Sequence, residues 1–465
     1  MDIKLGIIGD LIIDKFRYFK SMRLSPEGPA PVVNEVSKSI VPGGAGNIAI
    51  SLSNLGLNSN FYFNFSSEES DSTKKIVKEF FKNYSLNTKP KLSKKNFKIP
   101  VKTRYYVDSR YFMREDIEEN IYKNELSLSE DYINKIVDDN NLIVVSDYQK
   151  GFINTHSMQT IISKCSEKKI PLFVDTKNKN SDAITNAFCL KINNSEFNNL
   201  FKVDKYILDE KIEDFMELID IERKRAKIKN LIVTIGSKGS ILSNETGVFH
   251  APASLVEVVD LTGAGDAFLA AVIYSFICKF KDKKEFKCQD LNIQDITFGN
   301  KGAETVVCKK GTAPISKNFI HSNNIKRLKI GFTNGCFDVL HIGHISLLRK
   351  ARLNCDYLIV GLNSDFSIKK LKGEKRPINN QNDRLEMLKS LSFVDEVVIF
   401  NEETPINLIK QICPDVLIKG ADYSEEEIIG ADYVKSNGGK VFRIDLVPNK
   451  STSKIIDKIQ KIKYL

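Results

Sequence analysis

Thr333-Asn-Gly-Cys-Phe-Asp-Val-Leu-His-Ile-Gly-His344 is the stretch that decides the fold of the C-terminal part of the chain. It follows an apolar run, Leu328 to Phe332, that predicts a buried strand, and it leads into the helical pattern Ile345 to Leu353. A turn between a strand and a helix presents free backbone N–H groups and the positive end of the helix dipole, and both favour a bound phosphate. The stretch therefore predicts a site for the phosphates of a nucleoside triphosphate.

Two histidines and a glycine within this stretch indicate its chemistry. His341 and His344 are three residues apart, so they project from one side of the first helical turn, and Gly343 between them lets a nucleotide approach the backbone closely. The whole pattern resembles the nucleotidyltransferases of the cytidylyltransferase type. The resemblance implies a Rossmann-like domain in which both histidines act in catalysis. It also implies nucleotide contacts from Gly343 and from the residues before the histidines, namely Thr333, Asn334, Gly335, Cys336 and Phe337.

The rest of this part supplies further candidate residues. Lys419 ends a predicted strand and from there faces the histidine motif, where it is a candidate for neutralising the α-phosphate. Asn363 and Asp365 follow another predicted strand and are candidate nucleotide contacts. Candidate contacts to the β- and γ-phosphates are Arg384, Ser451, Thr452 and Ser453, of which the last three stand at a helix start. A capping or surface role is equally compatible with these four residues.

Length and composition fit a protein of two or three domains. The 465 residues exceed one ordinary domain, and the 42% of hydrophobic residues are enough for real cores. The formal net charge of +10 comes with lysines that are spread along the whole chain. We therefore expect no nucleic-acid-binding surface, because a modest basic excess also fits an anionic small-molecule substrate.

The chain shows no targeting or membrane-spanning pattern. Residues Lys4 to Gly9 already predict a strand, so we expect no signal peptide. The longest apolar stretch, Phe268 to Cys278, is too short to span a bilayer. The eight cysteines show neither metal-type pairing nor a disulfide framework. These features predict a cytoplasmic protein with reduced thiols and no membrane association.

The N-terminal part begins with a predicted strand that ends in Gly-Asp. Asp10 and Asp14 lie just past its carboxyl end, where open α/β sheets bind ligands, and they are candidate sugar contacts. Gly43, Gly44 and Asn47 lie in a glycine-rich segment before a predicted helix, and they suit a loop that lies against a polyhydroxylated substrate.

Two kinds of strand pattern follow one another in this part of the chain. Exposed, alternating segments predict a small β lid: Tyr18 to Leu24, Pro31 to Val36, Lys98 to Val107 and Arg110 to Arg114. From residue 142 onward, strands and helices alternate, which predicts a parallel sheet covered by helices. The predicted strands are Leu142 to Ser146, Ile170 to Asp175, Phe188 to Ile192 and Leu231 to Ile235.

The segment Val259-Asp-Leu-Thr-Gly-Ala-Gly-Asp266 opens a buried helix that we predict over Ala267 to Phe280. Gly263, Ala264 and Gly265 present successive N–H groups to an anion at the helix start. Asp266 alone would be an ordinary N-terminal cap. Beside a phosphate cradle, however, a carboxylate is badly placed unless it takes a proton, so we predict that Asp266 is the base of a phosphoryl transfer.

The N-terminal part resembles the ribokinase-type sugar kinases. The matching residues are Gly9-Asp10, Gly43-Gly44 with Asn47, Asn193-x-x-Glu196 and Asp260-x-Thr262-Gly-Ala-Gly-Asp266. The resemblance implies a ribokinase-like α/β/α domain with a β lid, with Asp266 as the base and ATP as a substrate. It implies that Asn193, Asn194, Ser195 and Glu196 bind the nucleotide, and that Glu196 organises Mg²⁺ through phosphate or water.

Both halves, in this order, resemble the bifunctional heptose 7-phosphate kinases and heptose 1-phosphate adenylyltransferases of lipopolysaccharide synthesis. The resemblance implies a kinase domain over residues 1–314, a linker over 315–328 and a nucleotidyltransferase domain over 329–465. It also implies phosphorylation of the anomeric oxygen of D-glycero-β-D-manno-heptose 7-phosphate, followed by formation of ADP-heptose. We further expect a homodimer through the kinase lid, because exposed lid strands often pair between subunits.

Some alternatives stay open at the level of the sequence. The same two folds also fit another sugar phosphate or CTP, and the front domain also fits a sugar sensor without turnover. The nucleotide side of the kinase departs from the family pattern at Thr176, Ile192 and Ile235. Candidates for holding the 7-phosphate of the sugar are the basic lid residues Lys102, Arg104, Arg110 and Arg114.

Overall fold

The computed structural model of the protein describes residues 3–82, 84, 86–93, 97–118, 128–203, 212–279, 291–309, 311–319, 329–421, 424 and 426–445. The chain divides into two compact units, residues 1–325 and 326–465. Ile315 and Phe319 are buried, and the Ile315 N–H donates to Ser51 Oγ at 3.1 Å. Residues 315–319 therefore pack in the first unit rather than in the predicted linker. The remaining bounds of the linker lie largely outside the described residues and stay a prediction.

The described part of the first unit contains strands in two separate sheets. In chain order they are β1 (Leu5–Gly9), β2 (Leu11–Leu24), β3 (Pro31–Gly44), β4 (Ser59–Ser66), β5 (Leu86–Ser93), β6 (Val101–Val107), β7 (Arg110–Ile117), β8 (Leu142–Asp147), β9 (Leu172–Thr176), β10 (Cys189–Asn193), β11 (Asn230–Thr234), β12 (Ser240–Asn244) and β13 (Gly247–Ala251). The larger sheet has the order β13-β12-β11-β10-β9-β8-β1-β4-β5. Its strands pair in parallel from β5 through β11, while β12 and β13 pair antiparallel. The prediction of a parallel sheet is confirmed for its centre.

Apolar runs explain the central strands of this sheet. All six residues of β8 and all five of β1 are buried, as expected for parallel strands that are covered on both faces. The order of the strands reverses between β1 and β8, and the carboxyl ends of two such strands form a crevice where ligands bind. Asp10 and Tyr148 directly follow these two strands. The topology therefore places a ligand site beside them.

The described helices of the first unit are α1 (Ala45–Asn54), α2 (Asp71–Phe81), α3 (Glu130–Asp138), α4 (Thr155–Glu167), α5 (Asn194–Phe201), α6 (Ile212–Arg225), α7 (Ala264–Cys278) and α8 (Ile293–Val307). Helix α7 is apolar and buried along most of its length. It packs closely on α8, because a Cβ added to Gly302 would lie 2.6 Å from the Cβ of Ala271. Helix α7 begins three residues before its predicted start, so the glycine cradle and Asp266 belong to its first turn.

The smaller sheet is the predicted lid, with the order β3-β2-β6-β7. Strands β2, β3 and β7 are longer than predicted, whereas β6 begins three residues later than predicted, at Val101. Strand β2 starts at Leu11, directly after the central sheet, and β3 continues through Gly43 and Gly44 to the start of α1. The glycine segment that we predicted as a loop is therefore the end of a lid strand, and it pairs with β2 from Leu11 to Asp14.

The second unit is a smaller α/β unit. Its described elements are β14 (Ile330–Gly335), α9 (Ile342–Arg352), β15 (Tyr357–Asn363), α10 (Asp365–Lys372), α11 (Gln381–Lys389), β16 (Glu396–Phe400), α12 (Ile406–Ile412), β17 (Val416–Gly420), α13 (Ala431–Ser436) and β18 (Lys440–Ile444). These strands form a parallel sheet of order β16-β15-β14-β17-β18. The order reverses between β14 and β17, and the histidine motif and Lys419 lie at the carboxyl ends of these two strands.

Candidate active sites

Asp266 stands in the first turn of α7 and is buried. The side-chain amide of Asn47 donates to its Oδ2 at 2.9 Å, and the Tyr148 hydroxyl donates to its Oδ1 at 2.8 Å. Burial raises the pKa of Asp266 to about 6, while the bonds from Asn47 and Tyr148 oppose that rise. A carboxylate with this pKa is ionised at neutral pH and is still basic enough to take a proton.

A positive charge lies beside the glycine cradle. Gly263 caps α7 with φ +85°, and a Cβ added to Gly265 would lie 2.8 Å from Lys191 Nζ. Lys191 on β10 is buried and forms an ion pair with Asp175 at 2.9 Å. Burial alone lowers the pKa of Lys191, but Asp175 and Glu196 raise it above its ordinary value, so the lysine stays charged. The helix start and Lys191 together suit a transferred phosphoryl group. Sequence reasoning missed Lys191, although it stands two residues before Asn193.

Asn193 and Glu196 form a capping box at the start of α5. Asn193 Oδ1 accepts from the Glu196 N–H at 2.9 Å, and Glu196 Oε2 accepts from the Asn193 N–H at 2.8 Å. The spacing of the pair is the usual signature of this motif. Burial and the nearby Asp175 raise the pKa of the Glu196 carboxyl. The pair thus has a structural role, and its predicted contact with the nucleotide, with that of Asn194 and Ser195 beside it, stays a prediction.

Asp14 lies at the base of the lid, where its carboxylate lies against Gly43 of the paired strand β3. Its Oδ2 would be 2.2 Å from a Cβ at Gly43, so only glycine fits there without a shift. Arg104 donates to Asp14 Oδ1 at 2.7 Å, and the Thr312 hydroxyl donates to Oδ2 at 3.0 Å. Asn47 Oδ1 has no hydrogen-bond partner among the described residues, although Asn47 is buried. A sugar hydroxyl would satisfy this acceptor.

Asp10 supports the loop that follows β8. Its carboxylate accepts backbone N–H bonds from Tyr148 at 2.9 Å, Lys150 at 3.1 Å and Phe152 at 3.4 Å. Asp10 is buried and holds this loop in place, and its predicted contact with the sugar stays a prediction. The loop that it holds carries Tyr148, whose hydroxyl reaches Asp266. Sequence reasoning did not assign a role to Tyr148, because its partner lies 118 residues away.

The histidine motif of the second unit folds as a strand, a turn and a helix. His341 caps α9, and its Nδ1 accepts from the Gly343 N–H at 3.1 Å. The rings of His341 and His344 stack at 3.9 Å, and the Phe337 ring lies 5.1 Å from His344. Burial, together with the charges of His341 and Lys372, lowers the pKa of His344 to about 4. His344 is therefore a neutral imidazole at physiological pH.

Several buried polar atoms of this site lack partners. Thr333 Oγ1, Asn334 Oδ1 and His344 Nδ1 have no hydrogen-bond partner in the described part of the chain. Lys419 on β17 reaches the same place, since its Nζ donates to the Asn334 carbonyl at 3.4 Å. Unsatisfied buried polar atoms are rare in native proteins, so this cluster fits a polar ligand that completes their bonding.

Arg384 holds segments of this site in place through buried hydrogen bonds. Its side chain is fully buried, and its guanidinium donates to the carbonyls of Asn379, Cys336 and Asn363 and to Asp365 Oδ1, at 2.6–3.0 Å. The predicted direct contact of Arg384 with phosphates is therefore corrected. The residue instead fixes the segments after β14 and β15.

Asp338 is a supporting residue that sequence reasoning missed. It is 1% exposed, and its Oδ1 accepts from the backbone N–H groups of Ile378 at 2.6 Å and Asn379 at 3.1 Å. Arg376 Nε lies 2.9 Å from the other carboxylate oxygen. Asp338 thus fastens the basic segment around Arg376 to the histidine motif. The histidine motif contains Asp338, but its partners come from a later segment that no local sequence pattern connects with it.

Some predictions have no counterpart in the described structure. Ser451, Thr452 and Ser453 lie outside the described residues. Within the described ranges, no group of three or more His, Cys, Asp or Glu side chains is arranged to hold a metal ion. No helix among the described residues is long and apolar enough to cross a membrane.

Comparison with known proteins assigns both units. Residues 3–318 match the pfkB family of carbohydrate kinases, and residues 332–455 match the cytidylyltransferase-like family. The chain is therefore an enzyme that joins a carbohydrate kinase to a nucleotidyltransferase. It is 35% identical over 489 residues to the bifunctional protein HldE of Campylobacter concisus, with 99% of this chain and 98% of that protein covered. The chain belongs to the HldE family, and the predicted pairing of the two enzymes is confirmed.

Solved structures support the fold of the first unit. Phosphofructokinase-2 from Escherichia coli aligns with a TM-score of 0.53 at 16% identity, covering 69% of this chain and 97% of that protein. Ribokinase from Arabidopsis thaliana aligns with a TM-score of 0.51 at 16% identity, covering 69% and 98%. The predicted ribokinase-like fold is confirmed.

Proposed function

We propose that the first unit phosphorylates the anomeric oxygen of D-glycero-β-D-manno-heptose 7-phosphate with ATP. The second unit transfers an adenylyl group from ATP to heptose 1-phosphate, which gives pyrophosphate and ADP-heptose, a precursor of the lipopolysaccharide core. The main support is the buried Asp266, held by Asn47 and Tyr148 at the mouth of an anion cradle. A sugar sensor without turnover would not need a carboxylate at that place.

The kinase step follows from this arrangement. The anomeric hydroxyl lies against Asn47 and gives its proton to Asp266 late in the reaction, while its oxygen forms a bond to the γ-phosphorus. The bond from that phosphorus to the bridging oxygen breaks, and ADP leaves. The N–H groups at the start of α7 and the charge of Lys191 offset the charge on the transferred group.

The nucleotide side of the kinase also suits Mg²⁺. Glu196 uses one carboxylate oxygen for the capping box, and its raised pKa reflects burial and the neighbouring Asp175. Such a site fits an ion that keeps several waters and takes one or two carboxylates besides phosphate oxygens. We propose that Glu196 holds Mg²⁺ through water or phosphate. The ion would neutralise charge on the phosphates of ATP.

The transferase step needs no strong base, because a sugar 1-phosphate is already an anion. Its oxygen attacks the α-phosphorus of ATP, and the bond from that phosphorus to the pyrophosphate leaving group breaks. The neutral His344 donates a hydrogen bond to the reacting phosphate, and Lys419 offsets its negative charge. Thr333, Asn334 and His341 complete the polar wall of this pocket.

Phosphorus NMR tests both steps. The protein is mixed with Mg²⁺, ATP and heptose 7-phosphate, and wild type is compared with Asp266→Asn and His344→Ala. We expect wild type to form a bisphosphate and Asp266→Asn to lose about 10²- to 10⁴-fold in rate, which is the range for a general base. After a 1,7-bisphosphate 7-phosphatase is added, we expect ADP-heptose from wild type and none from His344→Ala.

Controls separate the possible outcomes. Asp131→Asn on α3 is an exposed substitution and should leave both rates unchanged. If a folded wild type binds ATP and forms no bisphosphate, the heptose assignment is wrong, and the alternative is another sugar phosphate. Replacing ATP by CTP in the second reaction tests the choice of base directly.

We also propose a homodimer through the lid. The lid carries large apolar side chains that are exposed in the single chain: Met22, Leu24, Val36, Tyr111, Phe112 and Met113. Burying such a surface against a second copy removes apolar area from water. Analytical ultracentrifugation of wild type and Phe112→Asp tests this, and a monomeric wild type refutes it. Because both reactions consume ATP, we propose a cytoplasmic location.

A further inference from the structure

Two lysines from different parts of the first unit meet at one carboxylate. Lys102 lies on lid strand β6, and Lys150 lies in the loop after β8. Glu118 is 2.5 Å from Lys150 Nζ through Oε2 and 3.9 Å from Lys102 Nζ through Oε1. The lysine side chains are only 20% and 16% exposed. The site thus combines two partly buried lysine side chains with one shared carboxylate.

A third lysine adds to this excess of positive charge. Lys177 follows β9, and its Nζ lies 4.3 Å from the centre of the Tyr148 ring. Burial lowers the pKa of Lys102, and repulsion from Lys150 and Lys177 adds to this shift, while Glu118 opposes it. An arrangement of lysines that repel one another is unfavourable in the empty protein. It becomes favourable when an anion with more than one charge binds between them.

The position of the lysines points to the sugar side of the site. Lys102 pairs in register with Asp14, whose carboxylate lies against Gly43. The charge nearest the glycine cradle is a different one, Lys191, which is paired with Asp175. The protein therefore has one group of cations at the cradle and another at the base of the lid. Two separate groups suit a reaction in which ATP and the sugar each bring phosphate.

The other basic residues of the lid are less suited to this role. Arg104 is paired with Asp14 at 2.7 Å, and Arg114 is paired with Asp116 at 2.8 Å. Arg110 is exposed on β7. Of the lid cations predicted from the sequence, Lys102 alone shares its carboxylate with a second lysine in the described part of the chain.

We infer that Lys102 and Lys150 bind the phosphate monoester that the sugar substrate already carries, and that this phosphate displaces Glu118 from between them. Lys177 adds charge at the edge of the same subsite. The inference rests on the proposed kinase function and names the residues that distinguish a sugar phosphate from the free sugar. Glu118 then acts as a competitor that keeps the lysines in place until the substrate arrives.

Steady-state kinetics test the subsite with two acceptors, heptose 7-phosphate and unphosphorylated heptose. We expect Lys102→Met and Lys150→Met each to raise KM for the 7-phosphate by about 10- to 100-fold, the range for a lost charged hydrogen bond. KM for ATP and the low rate with free heptose should stay within about twofold. Glu118→Gln removes the competitor and should lower KM for the 7-phosphate. Lys20→Met, an exposed substitution on β2, is the matched control.

Two results would overturn the inference. One is a loss of kcat/KM in the lysine variants that is equal for heptose 7-phosphate and for free heptose. The other is a change in KM for ATP while the preference for heptose 7-phosphate over free heptose is kept. Thermal unfolding shows whether each variant is folded. If wild type does not phosphorylate heptose 7-phosphate, the proposed function fails, and the subsite is measured by calorimetry with inorganic phosphate while a non-hydrolysable ATP analogue and Mg²⁺ fill the nucleotide site. Binding that is equal in wild type and in the Lys102→Met, Lys150→Met double variant then refutes it.

Discussion

Replacing Tyr148 by phenylalanine removes one hydroxyl from the kinase site and little else. That hydroxyl donates to Asp266 Oδ1 at 2.8 Å, and Lys177 lies over the ring, which phenylalanine keeps. The loop backbone is held independently by Asp10. The substitution therefore isolates one bond to the proposed base. Because that bond stabilises the charged carboxylate, its loss should raise the pKa of Asp266 above its present value of about 6.

The size of this shift follows from ordinary hydrogen-bond energies. A bond to a charged group contributes roughly 1.5–3 kcal/mol, and 1.36 kcal/mol corresponds to one pKa unit, so the pKa should rise by about one to two units. At pH 7 the ionised fraction of Asp266 would then fall from roughly nine-tenths to between one half and one tenth. We expect kcat/KM to fall about 2- to 10-fold at pH 7 and to recover near pH 9.

The assay is the pH profile of kcat/KM for the sugar, because its acidic limb reports the base of the free enzyme. Wild type should show a midpoint near the pKa of about 6, and Tyr148→Phe should show a midpoint one to two units higher. Tyr132→Phe on α3 is the control, since Tyr132 packs edge-on against Tyr62 and not at the site. Activity that falls equally at every pH, with the midpoint unmoved, would refute this reasoning.

Three further predictions concern stability and protonation. Arg384→Ala should lower the free energy of unfolding of the second unit by about 3–5 kcal/mol in urea denaturation, because it leaves Asp365 and three carbonyls without their buried partner, and kinase activity should persist. NMR titration should find the His344 ring neutral down to about pH 4, and a midpoint near 6.5 would contradict its buried setting. Gly302→Ala should lower the free energy of unfolding of the first unit by about 1–3 kcal/mol, because the added Cβ would clash with Ala271. The control is Gly56→Ala at an exposed position with φ +81°, where the added Cβ meets no atom within 4 Å and only backbone strain is introduced.

Local features of both sites were predictable from the sequence. The histidine motif depends on a strand, a turn and a helix that are continuous in the chain, and the glycine cradle depends on a turn and the helix that directly follows it. Their residue types and spacing therefore carried enough information.

Partners from distant parts of the chain were not predictable in the same way. Tyr148 follows β8 and Asp266 lies in the first turn of α7, and no local pattern predicts that the fold brings these two elements together. Arg384 was a candidate phosphate contact, with a capping or surface role equally open, but the fold buries its guanidinium among carbonyls. Asn193 and Glu196 are different, since the Asn-x-x-Glu spacing is itself a signal of a capping box and could have been recognised as one.

Strands β2 and β3 form a ribbon that is anchored at both ends in the kinase site. Strand β2 leaves the central sheet one residue after Asp10, and β3 returns through Gly43 directly into α1. The ribbon extends roughly 45 Å at the usual rise of a strand, and its pairing is continuous apart from two bulges. Asp14 and Gly43 therefore belong to the same two strands as the exposed tip near Leu24. We expect that substitutions that change how this tip packs also change the affinity for the sugar, because the strands that carry Asp14 and Gly43 are continuous with it.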